Sequence, residues 1–139
     1  MIKQFKTGYE AKTYLYSLKK FYEDRNLKNM ESFECKGIEY GYVLEEALNL
    51  IGDFKNIDFD ELRNYKIIFP EEYQKYLEEN EQKLNGSTIK FKLSEEASEK
   101  IDEITNYLAE YWKVRLYRAF TVKIVLKYLY LKLIEKKEF

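Results

Sequence analysis

Few residues in this chain could do covalent chemistry. None of its 139 residues is His, so the usual neutral-pH general base and the commonest zinc ligand are missing, which excludes catalytic triads and carboxylate–histidine metal sites. The single Cys, Cys35, has no disulfide partner in the chain and stands close to Glu34 and Glu39, whose charge disfavours a thiolate. Asp58, Asp60 and Glu61 offer carboxylates to a hard cation, but the glycine and ligand spacing of a calcium loop are absent, and a solvated turn accounts for them. No Gly-rich phosphate loop, Cys pair or nucleophile–base pair can be identified. No metal and no cofactor is expected, and the reading is of a protein that binds rather than catalyses.

Charge is what the residues offer instead. The chain holds 24 Lys or Arg against 25 Asp or Glu, a near balance. By position the balance breaks up: residues 1–30 hold 7 basic and 3 acidic groups, and 31–81 hold 5 basic and 14 acidic. Residues 82–111 hold 4 basic and 6 acidic, and 112–139 hold 8 basic and 2 acidic. Basic residues interleaved with aromatics at Trp112, Lys113, Arg115, Tyr117 and Arg118 are the footprint expected of phosphate contacts. The acidic middle, with Glu71, Glu72, Glu78 and Glu79, reads as a surface that docks on a basic partner or mimics nucleic acid; solvated helix exteriors would carry the same runs. The chain has 14 Tyr, 9 Phe and 1 Trp. Most of these aromatic bodies are expected to fill the core with their hydroxyls reaching water.

The elements that must hold these residues are mainly helices. Ala11, Tyr14, Leu15, Leu18, Phe21 and Tyr22 draw one stripe on a helix from about Tyr9 to Asn26, with Thr7 and Gly8 as candidate starts. The period lapses over 29–42, where Cys35, Gly37 and Gly41 suggest a loop with an extended piece at Ile38 to Tyr42. Leu44, Ala47, Leu48 and Ile51 rebuild a stripe that stops at Gly52. Asp58 or Asp60 is placed to cap a brief turn through Leu62. Lys66 to Phe69 reads as extended, and Pro70 opens a helix with Glu71 and Glu72 in its first turn. Asn85 and Gly86 mark a boundary, dividing the chain into an acidic helical subdomain, 1–86, and a strand–helix–helix segment, 87–139.

In the second segment Thr88 to Leu93 alternates strictly, as a half-buried strand does. Ser94 with Glu95 and Glu96 then opens a helix whose Ala97, Ile101, Ile104, Leu108 and Tyr111 share a face. A last helix, apolar almost all round, is expected from Thr121 to about Lys136 and wants burial on several sides. Lys123, Lys127 and Lys132 interrupt it too often for a membrane span. The expected class is thus mainly α with one or two short strands.

The run from Thr88 through Ile104 resembles the opening of ribbon-helix-helix proteins, in which a short strand ending in Leu is followed by a Ser- or Pro-capped helix and a second apolar helix. The resemblance implies a homodimer whose strands pair into an antiparallel ribbon that enters the major groove of double-stranded DNA. Ile89, Phe91 and Leu93 would line the dimer core, and Thr88, Lys90 and Lys92 would face base edges. Thr121 would cap the second helix, with the amides of Val122 and Lys123 holding a phosphate and the Lys123 charge adding to it; Lys113, Arg115 and Arg118 would add phosphate contacts. The spacing departs from the family, whose second helix starts about a dozen residues after the strand. Either the first helix is long, the reading preferred here, or the turn falls at Thr105 and Asn106.

Two functions follow as expectations. One is a dimeric DNA-binding regulator of phage or plasmid type. The other is a small helical inhibitor of the anti-CRISPR kind, whose acidic, Tyr-rich face occupies the basic surface of a host nucleic-acid-binding complex. One unpaired Cys and no amino-terminal apolar signal point to a cytoplasmic setting without a membrane.

Overall fold

The computed structural model describes residues 2–5, 8–29, 40–79, 81 and 89–139. Along the chain these form strand β1 (Ile2–Phe5), helices α1 (Tyr9–Asn29) and α2 (Tyr40–Ile51), and a 3-10 turn (Phe54–Asn56). The short helices α3 (Phe59–Asn64) and α4 (Glu71–Glu79), strand β2 (Ile89–Lys92), and the long helices α5 (Glu95–Trp112) and α6 (Arg118–Leu133) follow. The class is mainly α, as expected. Thr7, Cys35, Gly37, Ile38, Asn85, Gly86 and Thr88 lie outside the described residues, and with them the expected boundary and the first position of the expected strand.

Two helices lie at the centre. Every residue from Ala11 to Leu18 in α1 is buried, as is every residue from Thr121 to Leu131 in α6 except the half-buried Lys123, and these helices pack most extensively on each other. The all-round apolar pattern predicts this for α6. In α1 the expected stripe faces α6, while the opposite side is covered by α4, whose Leu77 meets Tyr16 beside Tyr40, Phe69 and Tyr76. Helices α2, α3 and α5 close the remaining sides of α6. One core cluster thus draws Leu15, Leu18, Leu44 and Leu48 from before residue 86 and Phe91, Ile101, Ile104, Val125 and Leu129 from after it. Each such side chain contributes about 1.5–3 kcal/mol by leaving water. Lys12 opposes that trend: it is only 1 % exposed, its Nζ has no hydrogen-bond partner among the described residues, and burial lowers its pKa from the ordinary lysine value. Tyr130 departs from the expectation that tyrosine hydroxyls reach water, because its hydroxyl is buried and has no partner among the described residues.

Strand β2 has its ladder within the chain. It pairs antiparallel with β1 in the register Ile2 to Lys92, Lys3 to Phe91, Gln4 to Lys90 and Phe5 to Ile89. This corrects the expectation that a second copy supplies the missing strand: β1 supplies it, and Phe5 packs its ring 5.8 Å from that of Phe91. Ile89, Phe91 and Leu93 are buried in the core of a single chain. Helix α2 crosses the ribbon so closely that a Cβ on Gly41 would stand 2.2 Å from the Lys92 carbonyl oxygen. Gly41 is therefore a helical contact glycine, and Tyr40 to Tyr42 open α2 where an extended piece was expected. Lys66 to Phe69 likewise forms no strand.

Several ends follow local chemistry. Gly52 takes the left-handed conformation, φ 58°, just past α2. Asp58 caps α3 by accepting from the Glu61 amide at 3.0 Å, and Ser94 caps α5 by accepting from the Ala97 amide at 3.1 Å. Helix α5 runs unbroken to Trp112, which removes the alternative turn at Thr105 and Asn106. Helix α6, however, begins at Arg118 and ends at Leu133, three residues before the expected bounds at each end. Extended Tyr117 takes the cap position without a side-chain cap bond.

Candidate binding face

The residues expected to touch DNA fall into two groups at opposite ends of α5. Lys90 and Lys92 are exposed on β2, alternating with buried Ile89 and Phe91. Lys113, Arg115 and Arg118 gather at the turn from α5 to α6. The 18 residues of α5 hold the two groups about 27 Å apart. Lys113 terminates α5 in the left-handed region at φ 54°. Arg115 places its guanidinium 5.4 Å from the ring of Tyr117, itself 66 % exposed. Arg118 is spent differently, on an ion pair with Asp102 at 2.6 Å.

Three of the expected phosphate contacts sit elsewhere than the resemblance places them. Thr121 lies within α6 and is fully buried; its hydroxyl meets that of Thr105 at 2.5 Å, and Thr105 donates to the Ile101 carbonyl at 2.7 Å. Val122 is likewise buried. Their amides belong inside the helix, so neither can hold a phosphate. Lys123 is half-buried, 3.8 Å from Glu10 and 4.7 Å from the Phe120 ring. The cause is common to all three: the helix starts one turn earlier, which carries its free amides back to Arg118 and Ala119.

Glu71, Glu72, Glu78 and Glu79 are exposed on α4, as a docking surface requires. Three of them are tempered by bases. Glu71, Glu72 and Glu79 line an open groove of about 520 Å³ together with Lys20, Lys75 and Tyr76, and Lys20 reaches Glu72 at 3.3 Å.

A denser acidic face lies on α5, where it was not expected. Of its 18 residues, Glu95, Glu96, Glu99, Asp102, Glu103 and Glu110 are acidic and only Lys100 is basic. Lys100 donates to the Leu48 carbonyl at 2.8 Å and lines the groove beside the acids. Glu95, Glu99, Glu103, Tyr107 and Tyr111 follow one another at intervals of four, a single row with three carboxylates leading to two phenols. A groove beside this row, about 500 Å³, is lined by Asp53, Phe54, Lys55, Glu96, Glu99 and Glu103 among others. It meets a second cleft of about 330 Å³, lined by Lys55, Ile57, Asp58, Phe59, Asp60, Tyr107 and Tyr111. At the phenol end Asp60 accepts from the Trp112 indole at 2.7 Å and from the Tyr111 hydroxyl at 2.9 Å. These two donors hold the Asp60 carboxyl below the ordinary aspartate pKa, while the same bond raises Tyr111.

The chain matches no family model, no curated protein and no solved structure.

Charge density says what this face can do. From Glu95 to Glu103 the helix rises about 12 Å and carries five carboxylates. With Asp102 committed to Arg118, four remain, one per about 3 Å, against one per about 3.4 Å along a single DNA strand. The first two favour the helix dipole wherever they point. Glu99 and Glu103 lie beyond the first turn, out of its reach. The row is periodic in the sequence, but across residues 82–111 Lys83, Lys90, Lys92 and Lys100 offset the six acids and mask its charge.

Proposed function

We propose that the protein is a non-enzymatic binding protein that docks the acidic α5 face on the basic, nucleic-acid-holding surface of a partner protein, as anti-CRISPR inhibitors do. The observation that carries this is the row of i, i+4 neighbours Glu95, Glu99, Glu103, Tyr107 and Tyr111, which winds along α5 with each member exposed or half-buried. Carboxylates at the linear density of a nucleic-acid strand compete for the same cations, and tyrosines at the end of the row supply the contact area that interfaces favour. The α4 acids Glu71, Glu72, Glu78 and Glu79 extend the field without forming so dense a row.

The immobilised chain, offered host proteins eluted from DNA–cellulose, should retain a partner that duplex DNA displaces. Glu99→Lys with Glu103→Lys should abolish retention. Retention that survives both the charge reversal and the competing duplex overturns the reading.

A second reading has its own observation. Lys113 and Arg115 make no ion pair among the described residues, and the Tyr117 face beside Arg115 is open for base stacking. Direct nucleic-acid binding at this turn predicts salt-dependent anisotropy with a labelled duplex and single strand, weakened by Arg115→Ala with Tyr117→Ala. A monomeric mass in solution would remove the ribbon-helix-helix form of that reading, which requires a twofold pair.

A further inference from the structure

The cleft at the phenol end of the acidic row combines three kinds of group that suit one ligand. Asp60 presents a carboxylate fixed at both oxygens by Tyr111 and Trp112, so it neither rotates away nor pairs with a base within 4 Å among the described residues. Asp58 commits Oδ1 to the Glu61 amide and keeps Oδ2. The rings of Tyr107 and Tyr111 stack 6.1 Å apart at 20°. Tyr107 is braced by Phe54 at 5.2 Å, while Tyr111, 54 % exposed, leaves a face open. Among the described residues Lys55 is the one cation in the lining, against the two carboxylates Asp58 and Asp60. Its volume, about 330 Å³, stands at the lower end of the range of ligand sites. That suits one long side chain with its flanking backbone.

The molecule already uses this chemistry on itself. Arg63 lays its guanidinium 4.7 Å from the centre of the Trp112 ring, against the same indole whose N–H holds Asp60. A planar cation beside an aromatic face and a carboxylate is thus a stable arrangement at this end of α5.

We propose that the cleft is a subsite for one arginine side chain of the partner, its guanidinium stacked on Tyr111 and hydrogen-bonded to Asp58 and Asp60. The proposal rests on the acidic-face reading for the identity of the partner and on the cleft alone for its chemistry. Arginine fits better than lysine because its planar fork serves an aromatic face and two carboxylates together, whereas an ammonium is a hydrated point charge.

The single Trp gives a clean reporter. With the ¹⁵N-labelled chain, the one indole N–H signal should shift saturably on titration with N-acetyl-arginine amide, and N-acetyl-lysine amide should bind about fivefold more weakly or worse. Tyr111→Leu and Asp58→Asn should each weaken the arginine probe by about fivefold. No saturable shift, equal affinity for the two probes, or undiminished binding by Tyr111→Leu would overturn the proposal. The arginine–lysine comparison uses the unaltered chain, so a variant that fails to fold does not decide the matter. If the arginine probe binds while partner retention is absent, the acidic-face reading falls and the subsite stands; if a partner is retained and the probe does not bind, the subsite falls alone.

Discussion

Gly41→Ala tests the architecture beneath the binding face, because it adds one methyl where α2 crosses β2. An Ala Cβ there would lie 2.2 Å from the Lys92 oxygen and 3.0 Å from the Lys92 nitrogen and carbonyl carbon. Ordinary contact begins at 3.4 Å, so the Cβ must retreat by 3.4 − 2.2 = 1.2 Å from a backbone atom that cannot swing aside. Helix α2 is wedged against α1, α5, α6 and β2, and its withdrawal opens contacts at Val43, Leu44, Ala47 and Leu48, all at most 1 % exposed. Alanine returns about 0.5–1 kcal/mol of helix preference. Overpacking and lost contact cost more, giving a net loss of about 2–3 kcal/mol and a fall in Tm of roughly 6–12 °C. Thermal melts by circular dichroism and Trp112 fluorescence would measure it. Gly8→Ala, with nothing within 4 Å of its Cβ, serves as the control. A Gly41→Ala protein that melts within about 2 °C of the parent would show that the helix and ribbon do not touch as described.

Other consequences can be checked with the same instruments. Thr121→Val removes the buried hydroxyl pair with Thr105 and should cost about 1–2 kcal/mol, seen as a lower denaturation midpoint; an unchanged midpoint with weakened nucleic-acid binding would restore Thr121 to a phosphate site. Lys12→Met should raise Tm, since it replaces a buried amine that has no partner among the described residues with an apolar chain of similar length. Because burial lowers the folded-state pKa of Lys12, the unfolded chain holds that proton more firmly, and the parent gains stability as pH rises toward the ordinary lysine value of 10.5. The advantage of Lys12→Met should therefore shrink as pH rises toward 10.5, and a constant gap would contradict the burial of the amine. At Asp60 the slope has the same sign in a different range: its depressed pKa gives stability that is present above the ordinary aspartate value of 3.8 and lost as pH falls through the lower folded-state value. The Trp112 indole signal should follow that titration with a midpoint below 3.8, and a midpoint at or above it would mean that the bonds to Asp60 do not persist.

Where the sequence predicted well, the physics was local. Ser94, the alternation of Ile89, Phe91 and Leu93, and the stripe Ala97, Ile101, Ile104 and Leu108 each depend on neighbours within a few residues. Gly52 and Asp58 behave likewise. What was misread depended on distant partners. Gly41 looked like a loop glycine because the atom that demands it, the Lys92 oxygen, is 51 positions away. Ile2 to Phe5 is too short to announce a strand, and its partner lies 84 to 90 positions further along the chain. Thr121 has the residue type of a cap, but Thr105 on α5 claims its hydroxyl. At the binding face the row of three Glu and two Tyr is periodic and readable. The Asp60 bonds to Tyr111 and Trp112 join residues 51 and 52 apart, and no local pattern reports them.

The central place of α6 sets the timing of folding during synthesis. At about 5–20 residues per second, the ribosome needs several seconds to pass from Phe5 to the strand that completes its ladder. Even then α1, α2 and α5 lack the helix they jointly enclose, since Arg118–Leu133 is made last of these elements. Until it emerges, Leu15, Leu18, Leu44, Leu48, Ile101 and Ile104 have no common partner to exclude water with. A nascent chain stopped anywhere before α6 is therefore a collection of sticky, unfinished helices, a substrate for chaperones and proteases, and the acidic face becomes rigid only at the end of translation.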